Sequence, residues 1–123
     1  MILVDTHVLI WALRGDPALG PRQRSILGEF DGTTIVSLAS LWEIEIKRSL
    51  GKLDAPADLS AGVLQFNWSI LPISTEHTRK VGQLPLLHRD PFDRMIVAQA
   101  MVEGMALMTA DRRLAAYGAT VLW

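Results

Sequence analysis

The sequence contains no cysteine, which excludes a disulfide scaffold, thiolate zinc and a cysteine nucleophile. It has no long hydrophobic run either. The longest, Val8 to Leu13, falls far short of the roughly 20 residues a membrane-spanning helix needs. Only Ile2, Leu3 and Val4 stand between Met1 and the first acid, so no signal peptide is expected. A surplus of one charge is missing too: 12 Lys and Arg against 13 Asp and Glu give a net charge of −1. That balance argues against coating nucleic acid by bulk electrostatics. Repeats, low-complexity tracts and linker-like stretches are also lacking. What remains is 123 residues, 50% hydrophobic and 20% charged. Disorder is excluded. A chain of this length is one domain's worth and is expected to bury about two thirds of its unfolded surface. A soluble, cytoplasmic protein is expected.

Strand and helix signals alternate along the chain. The apolar run 1–4 ends at Asp5 and reads as a buried strand. A helix over 6–13 stops at Gly15-Asp16-Pro17, and a second, from about Pro21 to Phe30, ends at Asp31-Gly32. The β-branched segment 33–37 reads as a second buried strand. Helices are expected over 39–50, closed by Gly51, and over 57–66. Residues 70–73 read as a strand that Pro72 demotes to an edge. A short helix over 76–84 precedes a well-signalled one, with Asp90 at the N-cap, Pro91 at N1 and Gly104 at the end. A strand over 106–109, a short helix over 111–117 and a strand over 120–123 complete the chain. This order predicts an α/β fold with a mostly parallel central sheet of five strands flanked by helices. In such sheets ligands sit at the carboxyl ends of the strands.

Acids occupy those ends. Asp5 follows the first strand, Asp111 follows the 106–109 strand, Asp93 lies in the first turn of the Asp90 helix, and Glu43 lies on the helix after the second strand. Asp5 and Asp111 have a structural alternative as N-caps, and Asp93 as a helix-dipole partner. Asp93 is the most telling, because Ile96, Val97 and Ala100 continue its face, and a carboxylate opening an apolar stripe is costly without a partner. Asp90 is more simply the cap. Glu43 and Glu45 stand about 200° apart on a helix. Glu43 shares its face with Ala39, Ile46 and Leu50, so it is the candidate, with Lys47 one turn on as a phosphate contact or an i,i+4 partner. Four gathered carboxylates need protons or a cation. Oxygen ligands without a His or Cys cluster suit Mg²⁺ or Mn²⁺. The chemistry implied is metal-assisted phosphodiester hydrolysis, in which ions activate water and stabilise the leaving oxygen. With these four acids set aside, bases outnumber the remaining acids.

The segments Leu3-Val4-Asp5-Thr6-His7, Val36 to Glu43, His88 to Ala100 and Met108-Thr109-Ala110-Asp111 together resemble the successive signatures of a PIN domain. More narrowly they resemble VapC-type toxins of prokaryotic toxin–antitoxin pairs. The resemblance runs over nearly the whole chain, in order and spacing. It implies that residues 1–123 form a single PIN-like nuclease domain of three layers, a Mg²⁺- or Mn²⁺-dependent endoribonuclease inhibited by a cognate antitoxin. The family's acidic quartet maps onto Asp5, Glu43, Asp93 and Asp111, and its hydroxyl beside the first acid falls on Thr6. His7 stands where a further hydroxyl is familiar. The resemblance also implies a homodimer, to which an unusually apolar composition adds an expected interface patch. The antitoxin's C-terminal segment is expected over the active-site groove, presenting a basic side chain to the quartet.

Arg89, Arg94, Arg112 and Arg113 adjoin the acidic positions, where an RNA backbone would pass, and arginine suits bidentate phosphate contact. With Lys47 they form the expected RNA-binding set. His7 is expected at the rim and His88 beside the start of its helix, near RNA. Trp11 and Trp42 are expected to pack on their helices, with Trp68 and Trp123 exposed. Other classes fit less well. A haloacid dehalogenase-type phosphatase needs an Asp where His7 stands, and a receiver domain needs one where Ser37 ends its strand. A catalytically silent PIN-like binding module and a structure-specific DNA nuclease are the alternatives to a ribonuclease. The latter usually carries added arches or clamps.

Overall fold

A computed structural model describes residues 1–29 and 33–123. Strand β1 (Ile2–Val4) leads into helix α1 (Thr6–Arg14), then α2 (Pro21–Glu29), β2 (Thr34–Ser37) and α3 (Leu38–Ser49). Next come α4 (Leu59–Gln65), β3 (Ser69–Leu71), α5 (Thr75–Gln83), α6 (Pro91–Glu103) and β4 (Ala106–Met108). A 3-10 helix, Arg112–Tyr117, and β5 (Val121–Leu122) complete the order. The expected end of the second helix at Phe30, Asp31 and Gly32 lies outside the described residues.

The sheet has five strands in the order β3-β2-β1-β4-β5, and every pair is parallel. β1 is central, with Leu3 opposite Ile35 on one side and Leu107 on the other. β3 is an edge strand, with Pro72 just beyond it. The chain steps from β1 outward through β2 to β3, then crosses to β4 on the other flank. The reversal puts a crevice outside the carboxyl ends of β1 and β4, where a doubly wound sheet binds ligands.

Because strand side chains alternate, β1 feeds two cores. Ile2 and Val4 point into one with Val8 and Leu9 of α1, Ile44 of α3 and Val63 of α4. Leu3 points into the other with Ile96, Val97 and Ala100 of α6, Leu107 and Leu114. Helices therefore cover both faces, in three layers. The helix ends are built locally. Gly15 and Gly104 close α1 and α6 at φ 63° and 65°, a left-handed conformation that glycine adopts at no steric cost.

Two tryptophan expectations are corrected. Trp42 is 58% exposed, because α3 buries its Ala39, Ser40, Glu43 and Ile44 side instead; its ring stands edge-on to Phe92 at 5.1 Å. Trp68 is only 8% exposed, since the turn before β3 folds it into the core beside Phe66. A buried polar string ties the second layer together. The Ser37 hydroxyl donates to Gln99 Oε1, and Gln99 Nε2 reaches His77 Nδ1 at 3.3 Å. His77 Nδ1 also accepts the Ser74 N–H, and its Nε2 meets Glu103 Oε1 at 2.8 Å.

Candidate active site

Asp5 ends β1 and caps α1: its Oδ1 accepts the Val8 N–H at 2.8 Å. The Thr109 hydroxyl, from the end of β4, also bonds its carboxylate. Capping and groove-facing thus coexist in one side chain. Asp5 is 5% exposed, and burial pushes its pKa above the usual value despite both hydrogen bonds, with the charge of Glu43 adding to the rise.

Glu43 projects from the buried side of α3 and is 4% exposed. Its Oε2 accepts from Lys47 Nζ at 2.9 Å. Its Oε1 is buried and has no hydrogen-bond partner among the described residues. The other acid of this helix, Glu45, is exposed and pairs with Arg48 at 3.1 Å. Ile46 and Leu50, expected to share the Glu43 face, lie out in solvent.

Asp93 opens α6. Its pKa is pushed up to about 6, first by burial and then by the charge of Asp90; His88 opposes this, while Glu43 and Asp5 add to it. Asp111 behaves in the opposite way. It caps the 3-10 helix through the Arg113 N–H at 3.1 Å, and the Arg113 guanidinium grips both oxygens, Nε to Oδ1 at 2.9 Å and Nη2 to Oδ2 at 2.8 Å. That side chain holds the Asp111 pKa down to about 2.

His88 links the two flanks. Its Nε2 lies 3.6 Å from Asp93 Oδ2 and 3.7 Å from Asp111 Oδ2. Ligand atoms of these three residues fall within 4.8 Å of one another. Nδ1 accepts the Asp90 N–H at 3.2 Å, and Nε2, which faces the two carboxylates, also lies 3.4 Å from Arg113 Nη2. The groove has a volume of about 540 Å³; Asp5, Asp93 and Asp111 line it together with His7, Trp11 and Arg113.

The expected basic residues divide into groups. Arg89 and Arg112 are exposed. Arg113 faces the groove, paired with Asp111. Arg94 turns away: its guanidinium donates to the Pro85, Val81 and Leu84 carbonyls and approaches the Tyr117 hydroxyl. Its expected RNA contact is therefore corrected. It ties the end of α5 and the turn beyond it to α6, adding a second donor to the Val81 and Pro85 carbonyls, which also accept the Leu84 and Leu87 N–H groups. Lys47 is the i,i+4 partner of Glu43 rather than a free phosphate ligand. Thr6 donates its hydroxyl to Ser40 Oγ at 3.0 Å, joining α1 to α3, while Thr109 bonds Asp5. Thr109 is the supporting residue that the sequence reading missed. Its signal was a hydroxyl at the end of a strand, two residues before an acid.

The donor set fits a hard divalent cation. Asp5, Glu43, Asp93 and Asp111 offer only oxygen. Among the described residues one buried carboxylate oxygen, Glu43 Oε1, has no donor, and burial pushes the Asp5 and Asp93 carboxyls up, features that suit a divalent cation. Among the described residues no helix is long and apolar enough to cross a membrane.

Among curated proteins, none matches the chain. Solved structures do match. A DNA-bound VapBC from Salmonella typhimurium aligns with a TM-score of 0.74 at 21% identity, over 98% of this chain and 96% of that one. VapBC2 from Rickettsia felis, bound to a promoter DNA fragment, aligns with a TM-score of 0.75 at 17% identity, over 99% and 98%. A toxin–antitoxin complex from Klebsiella pneumoniae aligns with a TM-score of 0.67 at 19% identity, over 100% and 97%. The PIN domain family model matches residues 2–119, and the chain belongs to the PIN domain family.

Proposed function

We propose that this protein is a Mg²⁺- or Mn²⁺-dependent endoribonuclease and the toxin of a toxin–antitoxin pair, with residues 1–123 acting as a single nuclease unit in the cytoplasm. The observation that carries the reading is the unpartnered Oε1 of buried Glu43, set beside Asp5 and Asp93, whose carboxyls its charge pushes up. Asp5, Glu43 and Asp93 would hold the ion, with Asp111 closing the set from the β4 side. Bound there, a divalent ion supplies Lewis acidity and a lowered water pKa. The chain's own part is positional. Thr109 and the Val8 N–H orient Asp5, Lys47 fixes one oxygen of Glu43, and His88 Nε2 stands between Asp93 and Asp111. Arg89, Arg112 and Arg113 are the candidate contacts to the phosphates of RNA.

The structural relatives named as VapBC or toxin–antitoxin complexes support an antitoxin partner, whose C-terminal segment we place over the groove. Self-association is supported by an exposed apolar row on α3, formed by Leu38, Trp42, Ile46 and Leu50. The test of the activity is cleavage of single-stranded RNA with Mg²⁺, with Mn²⁺ and with excess EDTA, beside metal uptake by calorimetry. Undiminished cleavage in EDTA overturns the reading. Equal cleavage of DNA favours the DNA nuclease alternative, and no metal uptake favours the silent binding module.

A further inference from the structure

Asp111 has both carboxylate oxygens held by one side chain. The Arg113 fork contacts Oδ1 and Oδ2 at 2.9 and 2.8 Å, and the same Oδ2 faces His88 Nε2 at 3.7 Å. A divalent ion drawing on Asp111 must share a carboxylate whose two oxygens already face the guanidinium. Lone pairs remain for the ion, but two cations on one carboxylate repel each other, so each weakens the hold of the other. Beyond Asp111 the guanidinium makes one further contact among the described residues, Nη2 to His88 Nε2 at 3.4 Å. The Arg113 side chain is 77% exposed and meets no backbone carbonyl among the described residues, whereas Arg94 is pinned by three. An exposed arginine changes rotamer in nanoseconds or less.

Two chemistries compete for this guanidinium. It pairs with a carboxylate or with a phosphate by the same parallel two-bond geometry. Arg113 lines the groove with Asp5, Asp93 and Asp111, so a phosphodiester brought to those acids comes within its reach. We propose that Arg113 is a latch on Asp111: a divalent ion displaces it, and the freed guanidinium then takes a phosphate of the RNA backbone. The latch rests on the metal-dependent ribonuclease reading above and specifies how that site is regulated. It couples the ion to the substrate, since a site without its ion keeps a phosphate ligand folded away.

The experiment titrates Mn²⁺ into the full chain by calorimetry without RNA, then measures KM and kcat for a single-stranded RNA at saturating Mn²⁺. Arg113→Ala tightens Mn²⁺ binding by about two- to fivefold, the worth of an exposed ion pair, and raises KM for RNA. Arg112→Ala removes the same charge one residue away without freeing an Asp111 oxygen, and changes Mn²⁺ affinity by less than about twofold because solvent screens it. Arg113→Lys keeps the charge but loses the fork, and falls between the parent and Arg113→Ala in both measurements. Equal tightening in Arg112→Ala, or no tightening in Arg113→Ala, overturns the latch. Tighter Mn²⁺ binding with an unchanged KM overturns the transfer to phosphate. Mn²⁺ uptake that needs Asp93 but ignores Arg113 overturns the latch alone, whereas no uptake of Mn²⁺ or Mg²⁺ by the parent protein overturns the nuclease reading as well.

Discussion

Asp90 caps α6 on behalf of Asp93. Its Oδ1 accepts the N–H of Phe92 at 2.8 Å and that of Asp93 itself at 3.2 Å, so the helix start is satisfied before the Asp93 carboxylate is needed. Asp93 is thereby released to the groove, at a cost: the Asp90 charge is among the causes that push its pKa up to about 6.

That cost gives a pH signature. The folded value near 6 lies above the ordinary aspartate value of about 3.9. A carboxyl raised in this way favours folding below its unfolded pKa, and the contribution is lost as pH rises through the folded one. A gap of about two units at roughly 1.4 kcal/mol each is at most about 3 kcal/mol, less after solvent screening of a partly exposed carboxyl, and still larger than the about 0.3–1 kcal/mol that an N-terminal carboxylate gains from the helix dipole. In EDTA, Asp93→Asn therefore melts higher than the parent at pH 7.5, and its advantage shrinks toward pH 4.5. Thermal melts at the two pH values check this. A lower melt for the variant at pH 7.5 makes Asp93 a structural residue.

On the proposed reading, RNA cleavage depends on the same oxygens. Asp5→Asn, Glu43→Gln and Asp93→Asn each lower RNA cleavage by about a thousandfold or more, since a bound ion contributes several kcal/mol of transition-state stabilisation. Circular dichroism of each variant stays native. A Glu43→Gln protein that cleaves at the parent rate removes Glu43 from the site.

Arg94 and Arg112 separate stability from RNA contact. Arg94→Ala removes the side-chain donor shared by the Val81, Leu84 and Pro85 carbonyls, of which Val81 and Pro85 keep a backbone donor, and lowers stability by about 1 kcal/mol, without changing RNA affinity per folded molecule. Arg112→Ala alters stability by less than about 0.5 kcal/mol and weakens RNA binding with a shallower salt dependence. Urea titrations and fluorescence anisotropy at two salt concentrations distinguish them. The reverse pattern refutes the division.

The row on α3 predicts an oligomeric state. If a second copy covers it, Trp42→Glu shifts the sedimentation equilibrium of the protein from dimer to monomer while leaving its circular dichroism unchanged. A parent protein that is monomeric at micromolar concentration sinks the homodimer.

The order of elements was readable because the sequence marks it with strong punctuation. Asp90-Pro91 starts a helix, Gly104 and Gly15 end two, and Pro72 marks an edge. The acids were readable because an α/β sheet places strand ends together. What could not be read was pairing at a distance. Nothing local tells that the Arg94 guanidinium reaches back to α5, or that Thr109 rather than Thr6 bonds Asp5. His77 lies in a polar-looking stretch, yet it is 1% exposed because Glu103 and Gln99, on another helix, satisfy its ring. Trp42 misled for a related reason. Helical periodicity identifies an apolar residue without telling which of two apolar sides meets the sheet.

The central position of β1 has a kinetic consequence. Ile2 must find both Thr34 and Ala106 before the sheet exists, and contacts between residues so far apart in sequence slow folding, because the loops between them lose entropy first. Asp5 and Asp111 are brought together by the pairing of β1 with β4, so partly folded chains that have paired only β1 and β2 carry an incomplete set of acids. The pairing of β1 with β4 therefore also assembles the groove, and hydrogen exchange at the Asp5 amide, which donates to the Met108 carbonyl at 3.1 Å, should lose protection together with RNA cleavage as denaturant is raised.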